Sequence, residues 1–484
     1  MPTVVTLDPI TRLEGHLKVE VAVEAGHVVD ARASGTLFRG FETILANRDP
    51  WDAPHITQRI CGVCPIPHGQ AAVLALDRAA NKTVPANGRL LRNLVLAANF
   101  VQSHLLHFYH LAALDYLEGP GTAPWQPSWA VDRRFDQSTT DALVGHYVQA
   151  LAMTRKAYEM GAIFGGRMPL APAYIPGGFT CRPQSAQITQ FRAYCNELLA
   201  FIQNVYLPDV EALASVYQDY FDIGGGYGNL LAFGVFELDA AGSQKLLRPG
   251  RAQNGSSSIQ AVDTAAITEK VTYSWYDNST NNLSPVNGST VPLQPKAGAY
   301  SWLKAPRYAG QPYETGALAR MWVNGDYRQG ISVMDRHRAR AYETLKIANA
   351  ILVWLNQLVP NQSPYTTYLT PKQGSGVGLT EAPRGALGHW LRIVEGKIAR
   401  YQIITPTCWN ASPADDLGLP GPLEKALLGT PVSDTNQPIE VLRVVHSFDP
   451  CLSCAVHVMR PNAGVHVTGW VPQKANSAPV CAVS

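Results

Sequence analysis

No uninterrupted apolar run in the chain reaches the length of about 18 residues that a membrane-spanning helix needs. The longest apolar stretch, residues 90–117, is broken by Arg92, Asn93, Asn99, Gln102 and Ser103, and reads as a buried bundle helix. A charged-then-apolar leader is missing as well. MPTVVTLDPITRLEGHL is interrupted by polar residues and reads as strand and loop. The expectation is a soluble chain made in the cytoplasm, exported only with a partner that carries a signal. Charge is scarce and balanced, at 16% of residues and net +2. That gives no reason to expect nucleic acid or an acidic membrane surface. Beside 46% hydrophobic residues, it implies that much surface is buried, in part against another subunit. Cysteine is scarce too. Eight in 484 residues are too few for a disulfide framework.

What is present is periodicity and turn chemistry. The 40 Gly and 35 Pro imply many turns and ordered loops. The first 45 residues alternate, which predicts a hairpin or meander with its turn at Ala25–Gly26. Helical spacing follows over 67–80, 88–117, 140–163, 185–217 and 335–358. Residues 250–300, rich in Ser, Asn, Gly and Thr, read as an irregular β insertion on the surface. The last 90 residues read as loops and short strands, GKIARYQIITPT and EVLRVVHSF among them. The predicted fold is mixed, α+β or α/β. It is a single large domain with a long-helix bundle core and peripheral β elements in the N- and C-terminal parts.

Four of the eight cysteines form two matched pairs. Cys61 and Cys64 stand in RICGVC, with His68 beyond them; Cys451 and Cys454 stand in DPCLSC, with His457 beyond. A tight turn inside each pair brings two sulfurs to one point. Two pairs supply four thiolates, the usual set for zinc, iron or another soft-ligand metal. Zinc ribbons close their second pair within about 15–20 residues, whereas these pairs lie near opposite ends of the chain. A site closed that way is no local staple. It favours a functional centre, with structural zinc as the alternative. Cys181, Cys195, Cys408 and Cys481 have no matching partners and read as buried or incidental thiols. His104, His107 and His110 fall at i, i+3, i+6 and could be drawn as a metal-binding face. The favoured reading is core or interface histidines.

RICGVC with His68, joined to DPCLSC with His457, resembles the large subunit of [NiFe] hydrogenases. PITRLEGHL, GTLFRGFE, HFYHLAALDY, SWLKAPRY and EAPRGALGHW carry the resemblance from about residue 5 to residue 460, and look most like the uptake, respiratory class. It implies reversible heterolytic cleavage of H2 to protons and electrons at a cysteine-held Ni–Fe centre whose iron carries CO and two cyanides. On that resemblance Cys61 and Cys451 are terminal on nickel, and Cys64 and Cys454 bridge to iron; thiolates suit the task because they are soft and anionic. Cys451 would take the proton. Arg384 would sit over the open metal face in an electrostatic role, since it does not readily act as a base. Asp449 would orient Arg384. Glu14 would be the first proton relay, its alternative an ion pair with Arg12 or Lys18. His68 would hydrogen-bond a bridging sulfur. Glu42, His457 and the carbonyl of Ile403 would hold Mg2+. Ser103 departs from the family, many of whose members carry an acidic residue there.

The same resemblance divides the chain into a hydrogenase domain, 1–457, and an extension, 458–484, removed after His457 by a maturation endopeptidase. With no further cysteine cluster here, electrons must leave through an iron–sulfur small subunit, and from it to a membrane cytochrome or other acceptor. Co-export with that subunit would leave the enzyme periplasmic or membrane-associated. The alternatives are a cytoplasmic, cofactor-reducing hydrogenase with flavin subunits, a zinc protein, and a non-catalytic relative like the quinone-site subunit of respiratory complex I, a lineage without the four cysteines.

Overall fold

The computed structural model describes residues 1–126, 128–129 and 132–455, with the backbone alone at 454 and 455. Residues 1–35 form an antiparallel meander: β1 (Thr3–Leu7), β2 (Leu17–Glu24) and β3 (His27–Gly35), turning at Ala25–Gly26 as predicted. Leu17, Val19, Val21 and Val23 line the inner face of β2, and their partners between them lean outward, the period-2 pattern of a half-buried strand. The loop between β1 and β2, residues 8–16, carries Glu14.

The centre is helical. α1 (Pro65–Ala79) starts directly after Cys64. α2 (Ala86–Leu106) runs through the middle and passes into a π-helical turn over His107–Ala112. It packs against α3 (Gln137–Gly165) and a later long helix over Val333–Gln357, and α4 (Ser185–Phe201) packs on the same two. α5 (Leu207–Val216), α6 (Ala317–Asn324) and α7 (Val333–Gln357) complete the bundle. α2 is buried on nearly every side, so the polar residues that interrupt its apolar run need partners. Arg92 pairs with Asp77 at 2.7 Å, Asn93 donates to the Glu237 carbonyl, and Asn99 donates to the Val63 carbonyl at 3.1 Å. Among the described residues no helix is long and apolar enough to cross a membrane.

A second antiparallel sheet follows: β4 (Gln373–Ala382), β5 (Gly385–Val394) and β6 (Lys397–Ile404). It lies on α1. In β4, Gly374, Gly376 and Gly378 alternate, and a Cβ at Gly376 or Gly378 would overlap the carbonyl oxygens of Ala75 or Ala71. Only glycine lets the strand rest on the helix backbone, and Ala71, Ala75 and Ala79 keep the helix side equally small. This contact ties α1, which begins at the first cysteine pair, to the hairpin whose tip is Pro383–Arg384. Gly378→Ala is therefore expected to lift β4 from α1 and destabilise the fold by about 1–3 kcal/mol, the cost of overpacking. Thermal unfolding measures this; an unchanged midpoint would contradict the packing described.

Two stretches differ from the sequence reading. EVLRVVHSF is not a short strand. It forms α8 (Ile439–Ser447), and its β-branched residues Ile439, Val441, Val444 and Val445 are all buried. Glu440, Arg443 and His446 do fall at helical spacing, but the run of β-branched residues imitates a strand. Residues 250–300 are irregular, as expected, with two short strands, Gly250–Ala252 paired to Leu230–Ala232 and Ile267–Lys270 paired to Ala305–Tyr308. They do not stay on the surface. Tyr276 packs on Phe38, and the Thr290 hydroxyl donates to buried Glu42.

Candidate metal centre

Three sulfurs from the two ends of the chain meet in the interior. Cys61, Cys64 and Cys451 are at most 2% exposed, and their Sγ atoms lie within 4.8 Å of one another. Cys61 Sγ is 3.1 Å from Cys64 Sγ and 3.4 Å from Cys451 Sγ. Local geometry accounts for the first pair. The backbone N–H groups of Val63 and Cys64 both donate to Cys61 Sγ, at 3.3 and 3.1 Å. Such donors favour a thiolate over a thiol. Asn99 holds the turn from below through the Val63 carbonyl. Three clustered sulfur ligands of one soft type fit a soft-ligand metal. The side chain of Cys454 lies outside the described residues.

The second pair is seated by backbone contacts. Cys451 N–H donates to Thr407 Oγ1 at 3.0 Å. The Glu14 carbonyl accepts from Leu452 N–H at 2.6 Å and from Ser453 N–H at 3.2 Å, and residues 14 and 451 form a parallel bridge. Arg39 spans both pairs, donating to the carbonyls of Ile60 and Ser453. Gly15 has φ +90°, and a Cβ there would overlap Ser453 N and stand 2.8 Å from Leu452 C. Gly15→Ala is thus expected to displace the Cys451–Ser453 segment and lower the metal content of the purified protein. Elemental analysis reads the effect; a variant loaded like wild type would contradict it.

The residues around the sulfurs are brought together as follows. The Glu14 carboxylate reaches to 3.5 Å from where a Cβ on Gly62 would stand, between Cys61 and Cys64. Neither cation considered as its ion-pair partner is engaged with it: Arg12 pairs with Asp115, and Lys18 with Glu20 at 2.9 Å. Arg384 is buried at the hairpin tip. Its Nη2 is 3.0 Å from Asp449 Oδ1, and its Nη1 is 3.5 Å from Ser103 Oγ. Burial opposes its charge, but Asp449 and the sulfurs of Cys451, Cys64 and Cys61 together hold its pKa well above the ordinary value. Asp449 takes φ +53°, a left-handed backbone that Asp tolerates better than most residues. Burial raises its pKa, against the pull of Arg384 and Arg340. His68 is fully buried, which lowers its pKa to about 4. Its Nδ1 is 3.2 Å from His389 Nε2, and His389 Nδ1 is 2.8 Å from Tyr401 Oη. His68 Nε2 is buried without a hydrogen-bond partner among the described residues.

Glu42 and Ile403 also meet: the Ile403 N–H donates to Glu42 Oε1 at 2.8 Å, with Lys304 Nζ 3.6 Å from the other carboxylate oxygen. His457 and the segment 458–484, Cys481 included, lie outside the described residues. His104, His107 and His110 do not converge. They bond Glu343 Oε2, the His446 carbonyl and the Tyr147 carbonyl respectively. Cys195 and Cys408 are buried and Cys181 half-buried.

Several residues at this centre carry no local signal. Arg39 stands in a quoted motif, yet its clamp joins carbonyls more than 390 positions apart in the chain. Arg320, Glu343 and Glu381 are charged residues with 0% exposed side chains. The one available hint was their presence in otherwise apolar stretches of a chain poor in charge.

Comparison with known proteins agrees with this geometry. The family described as nickel-dependent hydrogenase matches residues 39–140, 122–330 and 324–457, and a HoxL-like family matches residues 4–34. The chain is 44% identical to the periplasmic [NiFeSe] hydrogenase large subunit of Desulfomicrobium baculatum, over 95% of this chain and 96% of that one. It is 34% identical to the uptake hydrogenase large subunit of Bradyrhizobium diazoefficiens, with the same coverage. The solved Ni-Fe-Se hydrogenase of D. vulgaris Hildenborough matches with a TM-score of 0.92 and 43% identity, over 94% of this chain and 100% of that one. The chain belongs to the nickel-dependent hydrogenase large-subunit family and is an oxidoreductase acting on H2.

Proposed function

We propose that Cys61, Cys64, Cys451 and Cys454 hold nickel, with Cys64 and Cys454 shared with an iron that carries CO and two cyanides. When bound, these metals supply the site at which H2 is split heterolytically. The observation that carries the reading is the buried cluster of Cys61, Cys64 and Cys451 sulfurs facing Arg384. Relatives' names include selenium, but this sequence has cysteine at all four positions, so the proposed ligand set is sulfur only.

The protein's residues then divide the work. The Cys451 thiolate accepts the proton from H2, and Glu14, joined to the Cys451 segment through its own backbone, carries it outward. Arg384 places fixed positive charge over the reacting face in a buried setting, where a preorganised charge acts strongly. Asp449 holds that guanidinium in place. His68 turns one nitrogen to His389 and keeps the other for a sulfur of the centre. Glu42, the Ile403 carbonyl and His457 hold Mg2+, which would close the C-terminal side. The matched family ends at residue 457, which supports a mature domain of 1–457 and removal of 458–484. An iron–sulfur small subunit receives the electrons and passes them to a membrane cytochrome or another acceptor. The periplasmic designation of a relative supports the same location for this enzyme.

The test is the protein purified with its native partners. It is expected to contain nickel, with iron in excess of nickel because the small subunit adds its iron–sulfur clusters, and to reduce a dye with H2. Zinc in place of nickel, with no dye reduction, would refute the assignment.

A further inference from the structure

Arg384 sits at the tip of a two-residue hairpin, and a tip of that kind has few contacts of its own. Here it is held from one side by a single guanidinium. Arg320, on α6, donates from Nη1 to the Ala382 carbonyl at 2.9 Å and from Nη2 to the Pro383 carbonyl at 2.7 Å. These are the two carbonyls immediately before Arg384. The other three N–H groups of Arg320 go to carboxylates: Nε to Glu343 Oε1 at 2.6 Å, Nη2 to Glu343 Oε2 at 2.7 Å, and Nη1 to Glu381 Oε2 at 3.0 Å. All five donors are used, and the side chain is 0% exposed.

The holders are themselves held. Glu343, on α7, also faces His104 Nε2 at 2.9 Å. Glu381 Oε1 accepts the N–H of Phe233 at 2.6 Å. The Phe100 ring of α2 lies 5.2 Å beneath the guanidinium. The hairpin backbone also meets the start of α6 directly, since a Cβ at Gly385 would overlap Thr315 Oγ1 and stand 2.7 Å from Gly316 N. The tip therefore cannot move without moving α6, α7 or β4.

We propose that Arg320 is a positioning residue for H2 turnover: it fixes the Ala382–Pro383 backbone and so sets where the Arg384 guanidinium stands relative to Cys61, Cys64 and Cys451. This rests on the proposed role of Arg384. Planar, five-donor recognition is particular to arginine. Lysine has three donors and no fork, so at least two of these five hydrogen bonds are lost in a buried site. A displacement near 1 Å at a reacting centre costs on the order of 100-fold in rate.

The experiment compares Arg320→Lys, Arg384→Lys and Arg307→Lys in the enzyme purified with its partners. Arg307 is an equally buried, five-bonded guanidinium, held by Asp415 and away from the hairpin tip. Turnover per nickel, the KM for H2 and the infrared position of the CO band are read for each. Arg320→Lys is expected to lower turnover per nickel by about 10- to 100-fold, with little change in KM and a displaced CO band. Arg307→Lys should match wild type in all three. Wild-type turnover per nickel and band position in Arg320→Lys would overturn the proposal. So would a loss that follows nickel content alone, which is what a purely structural role produces. Unchanged turnover in Arg384→Lys would instead overturn the reading of Arg384, and the role of Arg320 with it. Should Arg320→Lys not accumulate, Glu343→Gln weakens the hold on Arg320 at constant shape. It is expected to give a smaller, several-fold drop per nickel with a displaced band, and no change in either would refute the proposal.

Discussion

Cys451→Ser is expected to abolish H2 turnover, by on the order of 1,000-fold or more, the scale on which removal of a reacting group registers. The serine hydroxyl is nearly isosteric, so the fold should survive. It is a hard, neutral ligand where the centre needs a soft anion. Cys451 is 0% exposed and 3.4 Å from Cys61 Sγ, so no neighbouring water can readily take its place. The variant should also lack the group that accepts the proton. Nickel content and dye reduction by H2, measured together, separate loss of the metal from loss of the base. Cys195→Ser is the matched control: it is buried between α4 and α7, facing the Ala348 carbonyl at 3.5 Å, and should keep its activity. A Cys451→Ser enzyme that turns over like wild type would contradict the assignment.

Arg384→Lys is expected to lower turnover by about 100- to 1,000-fold, the effect of removing one preorganised charged donor from a buried site. Arg384 meets Asp449 and Ser103 with separate nitrogens of one plane. An ammonium cannot span both. Asp449, buried and already raised in pKa by burial, would then be left with weaker compensation and drawn toward protonation. The same change would move positive charge away from the three sulfurs. Nickel and iron should stay bound, because none of the cysteines is altered. Turnover per nickel is the measurement; a value within two-fold of wild type would remove Arg384 from the chemistry.

What could be read from the sequence followed from rarity and spacing. Cysteine is scarce enough that two Cys-x-x-Cys pairs stand out, and Cys61, Cys64 and Cys451 do converge. The helices of the bundle and the N-terminal meander were legible because their periods are regular; α2 and α7 begin and end within two residues of the helical spacing or pass into a π turn. The interruptions in α2 told less. Asn99 reads as a break in an apolar run, and nothing local indicates that it supports the Val63 carbonyl inside the first cysteine turn. α8 was read as a strand because β-branched Ile439, Val441, Val444 and Val445 dominate its short run.

Long-range backbone contacts were not legible at all. The bridge from Glu14 to Cys451 uses a carbonyl, which every residue has. The Arg320 cluster was missed for a related reason. A charged residue in a helix most often faces water, and its burial depends on acids that arrive from α7 and β4. The alternating glycines of β4 carried a usable signal, since spacing of two in a strand implies one face kept empty. They decide how closely the first cysteine pair and Arg384 approach.

The most direct measurement is the infrared spectrum of the enzyme purified with its native partners, in the region of metal-bound CO and cyanide, where ordinary protein groups do not absorb. Bands that appear there and shift under H2 are the expected result, and place a Ni–Fe centre on the four cysteines. Their absence from a chain shown by intact mass to end at His457 would contradict it and leave the thiolates to another metal.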